Sequence, residues 1–212
     1  MSEAPKPVAD LQHIQKAWDG LIVSSLVTKV LSRASSEVDK ARLLAASAPH
    51  SGDWLFAPQI SSVGLELSDE AIRMSAAQRL GCRACEPQTC LCGKTVDARG
   101  LHGLACRKSA PRHQRHSQMN DLIWRAVKRA EIPAVKEPVG LMQDGKRPDG
   151  AILIPWARGK PLAWDVTVPD TYADSHIHDT AIQAGAAADR AAINKCAKYR
   201  PWKIHTSSFP SP

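Results

Sequence analysis

Apolar positions recur at helical spacing over residues 9–32, where Leu11, Ile14, Trp18, Leu21, Ile22 and Leu26 line one side of a run without proline. The spacing predicts a long amphipathic helix. Ser35 and Ser36 offer caps for a second, shorter helix through Ala46, and Pro49, Ser51 and Gly52 then mark a loop. A third helix is predicted from a Ser68 cap, supported in its first turn by Asp69 and Glu70, to a stop at Gly81. Over residues 114–130, Met119, Leu122, Ile123, Ala126, Val127 and Ala130 form one stripe, with Lys128 opposite and Arg125 and Arg129 on its flanks. The period then shortens. Residues 134–141, 150–154 and 162–168 read as strands, separated by Asp144-Gly145 and by a turn from Pro155 to Gly159, which predicts an antiparallel meander. A last, alanine-rich helix is predicted from a Ser175 cap to Tyr199, stopped by Pro201. The tail, residues 201–212, with three prolines and three serines, reads as an unpacked, disordered end.

Composition narrows the class without naming it. With 212 residues, 43% hydrophobic and 23% charged, the chain is long enough for one or two cores and falls outside the disordered and collagen-like ranges. No apolar run reaches the length of a membrane span, and Met1 to Pro7 lacks the basic-then-apolar order of a secretory signal, so an intracellular protein without membrane partners is expected. The net charge of +7 is concentrated. Residues 107–136 hold eight basic side chains (Arg107, Lys108, Arg112, Arg115, Arg125, Lys128, Arg129, Lys136) against Asp121 and Glu131, with His113 and His116 among them. Such a stretch is the footprint of a polyphosphate partner, or else a solvated helix face. No small-molecule substrate is evident.

Five of the six cysteines, Cys82, Cys85, Cys90, Cys92 and Cys106, fall within 25 residues that also contain His102. In an intracellular chain this density points to a metal rather than to disulfides. Zinc takes four such ligands as two close pairs. Cys90 and Cys92, with Gly93 allowing a tight turn, make one pair, and His102 and Cys106 the other. Cys85 competes as the first ligand, since its distance to Cys90 is closer to common zinc spacings. A site closed by four ligands is structural and leaves no open position for catalysis.

Two aspartates stand in strand-like settings. Asp149 sits in Arg147-Pro148-Asp149-Gly150 at a strand entrance, and Asp165 in Trp164-Asp165-Val166-Thr167-Val168 on the next. Aspartate is disfavoured within a strand, so a carboxylate between a tryptophan and two valines needs a reason. Two carboxylates on adjacent strands can hold magnesium, which polarises a scissile phosphate. Taken singly, Pro-Asp-Gly is also ordinary turn chemistry, and Asp165 could sit on a solvent-facing edge.

The order of parts resembles the PD-(D/E)xK nuclease core: a helix, a strand carrying Glu137-Pro138, the Arg147-Pro148-Asp149-Gly150 strand, the Trp164 to Val168 strand, and a helix ending Lys195-Cys196-Ala197-Lys198-Tyr199. The preceding Cys-x-Cys-Gly and His-x-x-x-Cys, and the stretch from Arg115-His116 to Asn120, make it similar to the zinc knuckle and restriction-like endonuclease at the C-terminus of non-LTR retrotransposon reverse-transcriptase polyproteins. Ser51-Gly52-Asp53-Trp54-Leu55 and Arg79-Leu80-Gly81 extend the resemblance to roughly residues 10–200.

The resemblance implies an α+β fold of N-terminal helices, a zinc-knuckle loop, and a nuclease core of helix, three-stranded antiparallel meander and C-terminal helix. It implies a helical linker at 1–81, a zinc knuckle at 82–111, a nuclease core at 112–200 and a tail at 201–212. The core is expected to be truncated, since the family continues past Tyr199 with a further apolar strand. Asp149 and Asp165 are implied to bind magnesium, Glu137 to assist, and Lys195 or Lys198 to stabilise the transition state. Thr167 stands where many such nucleases carry lysine, so the cation must come from the last helix. Zinc, held among Cys85, Cys90, Cys92, His102 and Cys106, would be structural. DNA, with RNA as an alternative, would be bound by Arg112, Arg115, His116, Arg125, Lys128 and Arg129, and action in the nucleus would follow. The expected function is nicking of DNA by phosphodiester hydrolysis. The alternatives are an inactive, zinc-stabilised nucleic-acid-binding remnant and a purely structural zinc protein.

Overall fold

The computed structural model describes residues 11–63, 65–139, 147–157 and 159–199, with backbone only at 11–18, 21, 63 and 111. The chain start, the end of the first expected strand at Leu141, the Asp144-Gly145 turn, Arg158 and the tail from Pro201 lie outside the described residues. The fold is mixed, with helices around two small antiparallel sheets, so the α+β expectation holds at that level.

Three helices lead. α1 (Leu11–Arg33), α2 (Glu37–Ser47) and α3 (Asp69–Leu80) start and stop close to the expected positions. Ser36 and Ser68 cap α2 and α3 by accepting the Asp39 and Ala71 N–H groups, and Gly81 closes α3 at φ +74°. Arg42 and Arg79 tie the second and third helices together. Arg42 donates to the Arg79 carbonyl, while Arg79 donates to the carbonyls of Ala46 and Ser51, so the Ser51-Gly52 and Arg79-Leu80-Gly81 segments meet. On α1, which packs against α2, Ile22, Leu26 and Val30 are exposed while Val27 and Leu31 are half-buried.

A hairpin of β1 (Gln88–Thr89) and β2 (Thr95–Val96) and the short α4 (Leu101–Ala105) follow. α5 (Ala110–Arg129) begins four residues earlier than expected, with Pro111 in its first turn where no N–H is needed. Its packed face also differs from the expected stripe. Met119 and Leu122 are exposed, whereas Asn120 is buried and His116, Ile123 and Val127 are half-buried beside it. A polar residue can take that position because Asn120 donates to the Asp149 carbonyl and accepts from the Trp164 indole.

The meander is present with shorter strands than expected, β3 (Ala134–Lys136), β4 (Gly150–Ile152) and β5 (Ala163–Trp164), in the order β3-β4-β5. β3 ends where Glu137 turns to φ +44°. β5 ends because the Val166 N–H is taken by the Asp149 carboxylate, so Asp165 to Val168 leave the ladder. The single last helix is two pieces, α6 (Ile177–Thr180) and α7 (Ala186–Tyr199). Gly185, at φ +81°, cannot continue a right-handed helix, and it opens α7 by accepting from Ala188 and Asp189. Ser175 does not cap; α6 starts after His176 without a side-chain cap.

Candidate functional site

Two clusters of chemistry stand out. In the first, the β1–β2 turn brings Cys90 and Cys92 together, with the Cys90 N–H donating to Lys94 and the Gly93 N–H to Cys90. α4 presents His102, and Cys106 follows at its C-terminal cap, buried. One ligand atom from each of Cys90, Cys92, His102 and Cys106 lies within 4.8 Å of all the others. The donor set fits zinc: two sulfurs bound tetrahedrally at about 2.3 Å lie about 3.8 Å apart, and Cys90 and Cys106 are separated by 3.7 Å. The Lys94 N–H beside Cys92, helped by Cys90, His102 and Cys106, pulls its thiol down to about 6, toward the thiolate that binds metal. Cys85 does not join; its thiol faces the Asp97 carbonyl at 3.4 Å. Of the two candidates for the first position, Cys90 is the one that joins the group.

The second cluster is built on the sheet. Gly150 pairs with both Lys136 and Trp164, so Asp149 stands one residue before that row and Glu137 and Asp165 one residue after it, at the ends of their strands. The Asp149 and Asp165 carboxyls are near enough to act on each other. Asp149 also accepts from the Val166 N–H at 2.5 Å and faces His116 Nε2 at 3.2 Å. Asp165 Oδ2 meets Lys195 Nζ at 2.7 Å, Lys198 Nζ at 3.6 Å and the Tyr199 hydroxyl. Both carboxyls are largely buried, at 16% and 12% side-chain exposure. Burial holds the Asp149 carboxyl above its ordinary range despite the Val166 N–H and His116, with the Asp165 charge adding to the rise. Burial acts on Asp165 too, but Lys195 and Tyr199 overcome it and hold that carboxyl low. The result is an asymmetric acid pair with a cation on one side and an imidazole on the other.

The remaining expected residues divide. Glu137 follows β3, with its side chain exposed and its N–H donating to the Asp149 carbonyl. Thr167 lines a cleft next to the pair. Arg115 is structural, donating to the Leu104 carbonyl and pairing with Asp170 at 3.5 Å. Arg125 donates to the Asp121 carbonyl and Lys128 lies over the Trp124 ring, both far along α5 from the carboxylates. Arg112 and Arg129 are exposed. The sequence reading missed Tyr199 as a partner of Asp165 and Asn120 as the bridge holding α5 to both aspartate strands. The Arg115-His116 to Asn120 spacing was the available signal, since positions four apart share a helix face.

Among the described residues no helix is long and apolar enough to cross a membrane. Comparison with family models, with curated proteins and with solved structures finds no match.

Proposed function

We propose that this chain is a magnesium-dependent DNA endonuclease of the PD-(D/E)xK type, the zinc-knuckle and nuclease portion of a retroelement polyprotein, acting in the nucleus. The observation that supports it most is the meeting of Asp149 and Asp165, from neighbouring strands, with Lys195 and Lys198 from a separate helix. Taken singly, each aspartate has an ordinary structural reading; four charged groups converging in a largely buried place do not.

Asp149 and Asp165 would hold the metal, whose chemistry is to polarise the scissile phosphate and lower the pKa of an attacking water. The chain's own groups do the rest. The Val166 N–H and His116 orient the Asp149 carboxylate, and the Asn120 bridge fixes the strand that carries it. Lys195 sits against Asp165, where its ammonium can stand beside a phosphate whose negative charge grows during attack; Lys198 and Tyr199 meet the same oxygen. Glu137, exposed just past the end of β3, would assist from the rim rather than from within. The zinc centre orders the segment leading into α5 and takes no part in the chemistry.

A second reading, an inactive binding remnant, draws on Thr167 standing where a lysine is usual and on the exposure of Glu137. Incubating purified protein with supercoiled plasmid, with and without magnesium, separates the two. Magnesium-dependent nicking is expected, lost in Asp149→Asn and in Asp165→Asn while zinc content and most of the DNA affinity remain. Affinity without nicking at any magnesium concentration would leave only the remnant.

A further inference from the structure

α5 carries positive charge at both ends. Arg112, His113 and His116 occupy its first turns, and Arg125, Lys128 and Arg129 its last. Arg112 and Arg125 are thirteen residues apart, about 20 Å along a helix rising 1.5 Å per residue. A single phosphate seat cannot use both.

The first end adjoins a cleft. A cavity of about 530 Å³ is lined by Arg107, Arg112, His113, His116, Thr167 and Val168, with no carboxylate on its wall. His116 faces Asp149, and Thr167 is two residues past Asp165, so the cleft and the acid pair share a wall. Other arginines have carboxylate partners: Arg73 with Glu70, Arg83 with Glu86, Arg99 with Asp39, Arg190 with Asp179. Arg107 and Arg112 are exposed and have no such partner among the described residues. The distant end is partly spent, on the Asp121 carbonyl and the Trp124 ring.

We propose that this cleft is the seat of a nucleic-acid phosphate next to the one that the acid pair addresses, with Arg107 and Arg112 as its cations, and that Arg125, Lys128 and Arg129 contribute little. Guanidinium groups match phosphate oxygens two at a time, which positions a strand as well as attracting it. Arg107 follows the ligand Cys106 directly, so the cysteine cluster sets where that guanidinium starts. The inference rests on the nuclease reading and gives it a route for the strand.

The test uses the full zinc-loaded chain and a short DNA duplex in magnesium-free buffer over a range of salt. Arg107→Gln/Arg112→Gln should weaken binding about tenfold or more and lower the salt slope by up to about two, one per phosphate contact. Arg125→Gln/Lys128→Gln/Arg129→Gln should stay within about threefold of the parent protein. Inorganic phosphate should compete only weakly. Circular dichroism and zinc content check each fold, and if the double variant fails to fold, the two single variants replace it. The seat is overturned if the distant triple variant loses the binding, if the cleft variant binds like the parent, or if inorganic phosphate binds as tightly as the duplex. Nicking by the parent with an unaffected cleft variant removes the seat and leaves the nuclease. Binding lost in the cleft variant, with no nicking by any form, removes the nuclease and leaves the seat.

Discussion

Gly150 lies so close to the Trp164 ring that a Cβ on it would sit 2.0 Å from the indole Cζ2. Neither side can yield cheaply. The indole N–H is held by Asn120 at 2.8 Å, and the glycine is paired on both sides by β3 and β5. Gly150→Ala should therefore destabilise the protein by about 2–3 kcal/mol, the upper part of the range for overpacking a well-packed place. Chemical denaturation of the variant beside the parent measures it, and a loss below about 0.5 kcal/mol, the size of a neutral surface change, would show that the indole moves freely. The same contact explains part of what the sequence could and could not disclose. The Pro-Asp-Gly run was visible as a strand entrance. The partners that make its glycine necessary come from residues 120 and 164, and no local pattern announces them. Tyr199 was hidden in the same way: at the end of an alanine-rich helix it reads as surface until Asp165, 34 residues away, is found against it.

Among the elements, helix ends were the most legible feature, because caps act within one turn. Ser36 and Ser68 accept at the starts of α2 and α3, where the sequence offers them as caps. The Ser36 cap does more than start α2. Its hydroxyl donates to Asp39 at 2.7 Å, and Asp39 reaches Arg99 at 2.8 Å, which binds α2 to the loop before α4. The Ser36 hydroxyl first, then Arg99 and Arg42, hold the Asp39 carboxyl below its ordinary range against the opposing effect of burial. A carboxyl depressed in the folded state stabilises above its unfolded pKa, near 4, and loses that contribution as pH falls through the lower folded value. Asp39→Asn should then cost about 1–2 kcal/mol at pH 7, as expected for the loss of hydrogen bonds to a charged group. The gap from the parent should close below about pH 4. Stability measured at several pH values decides this, and a gap that does not shrink at all as pH falls below about 4 would show that the loss comes from packing. Two elements were read less well. The break at Gly185 was present in the residues but masked by the alanines around it. The rotation of the packed face of α5 could not be read, since burying Asn120 makes sense only once its two distant partners are known.

At the scale of the whole molecule, the interior of the described residues is built mostly from small side chains. Buried alanines at 41, 77, 84, 151 and 187 outnumber Val96, Ile152 and Val166, and the largest fully buried side chain among the described residues is Thr180. Small side chains remove little apolar area from water, so burial of these positions alone is a modest source of stability. Cys106→Ser should lower zinc content strongly and loosen residues 85–106, because binding energy at such a site is folding energy. Cys85→Ser should keep the metal, as its thiol faces a carbonyl instead. Elemental analysis with hydrogen exchange on both variants checks the pair, and equal zinc loss in the two would mean that Cys85 is a ligand after all.

Lys195 and Asp165 reach each other from different elements, and the turn at Gly185 lies between the sheet and the helix that carries the lysine. The chain must therefore fix an azimuth as well as a distance. Each residue advances an α-helix by about 100° around its axis, so one residue added between Gly185 and Lys195 would swing both Lys195 and Lys198 off the Asp165 side with every charged residue still present. One residue added to the turn before Gly185 leaves the rotation of α7 to be set again by its contacts. Length is free on one side of that glycine and quantised on the other.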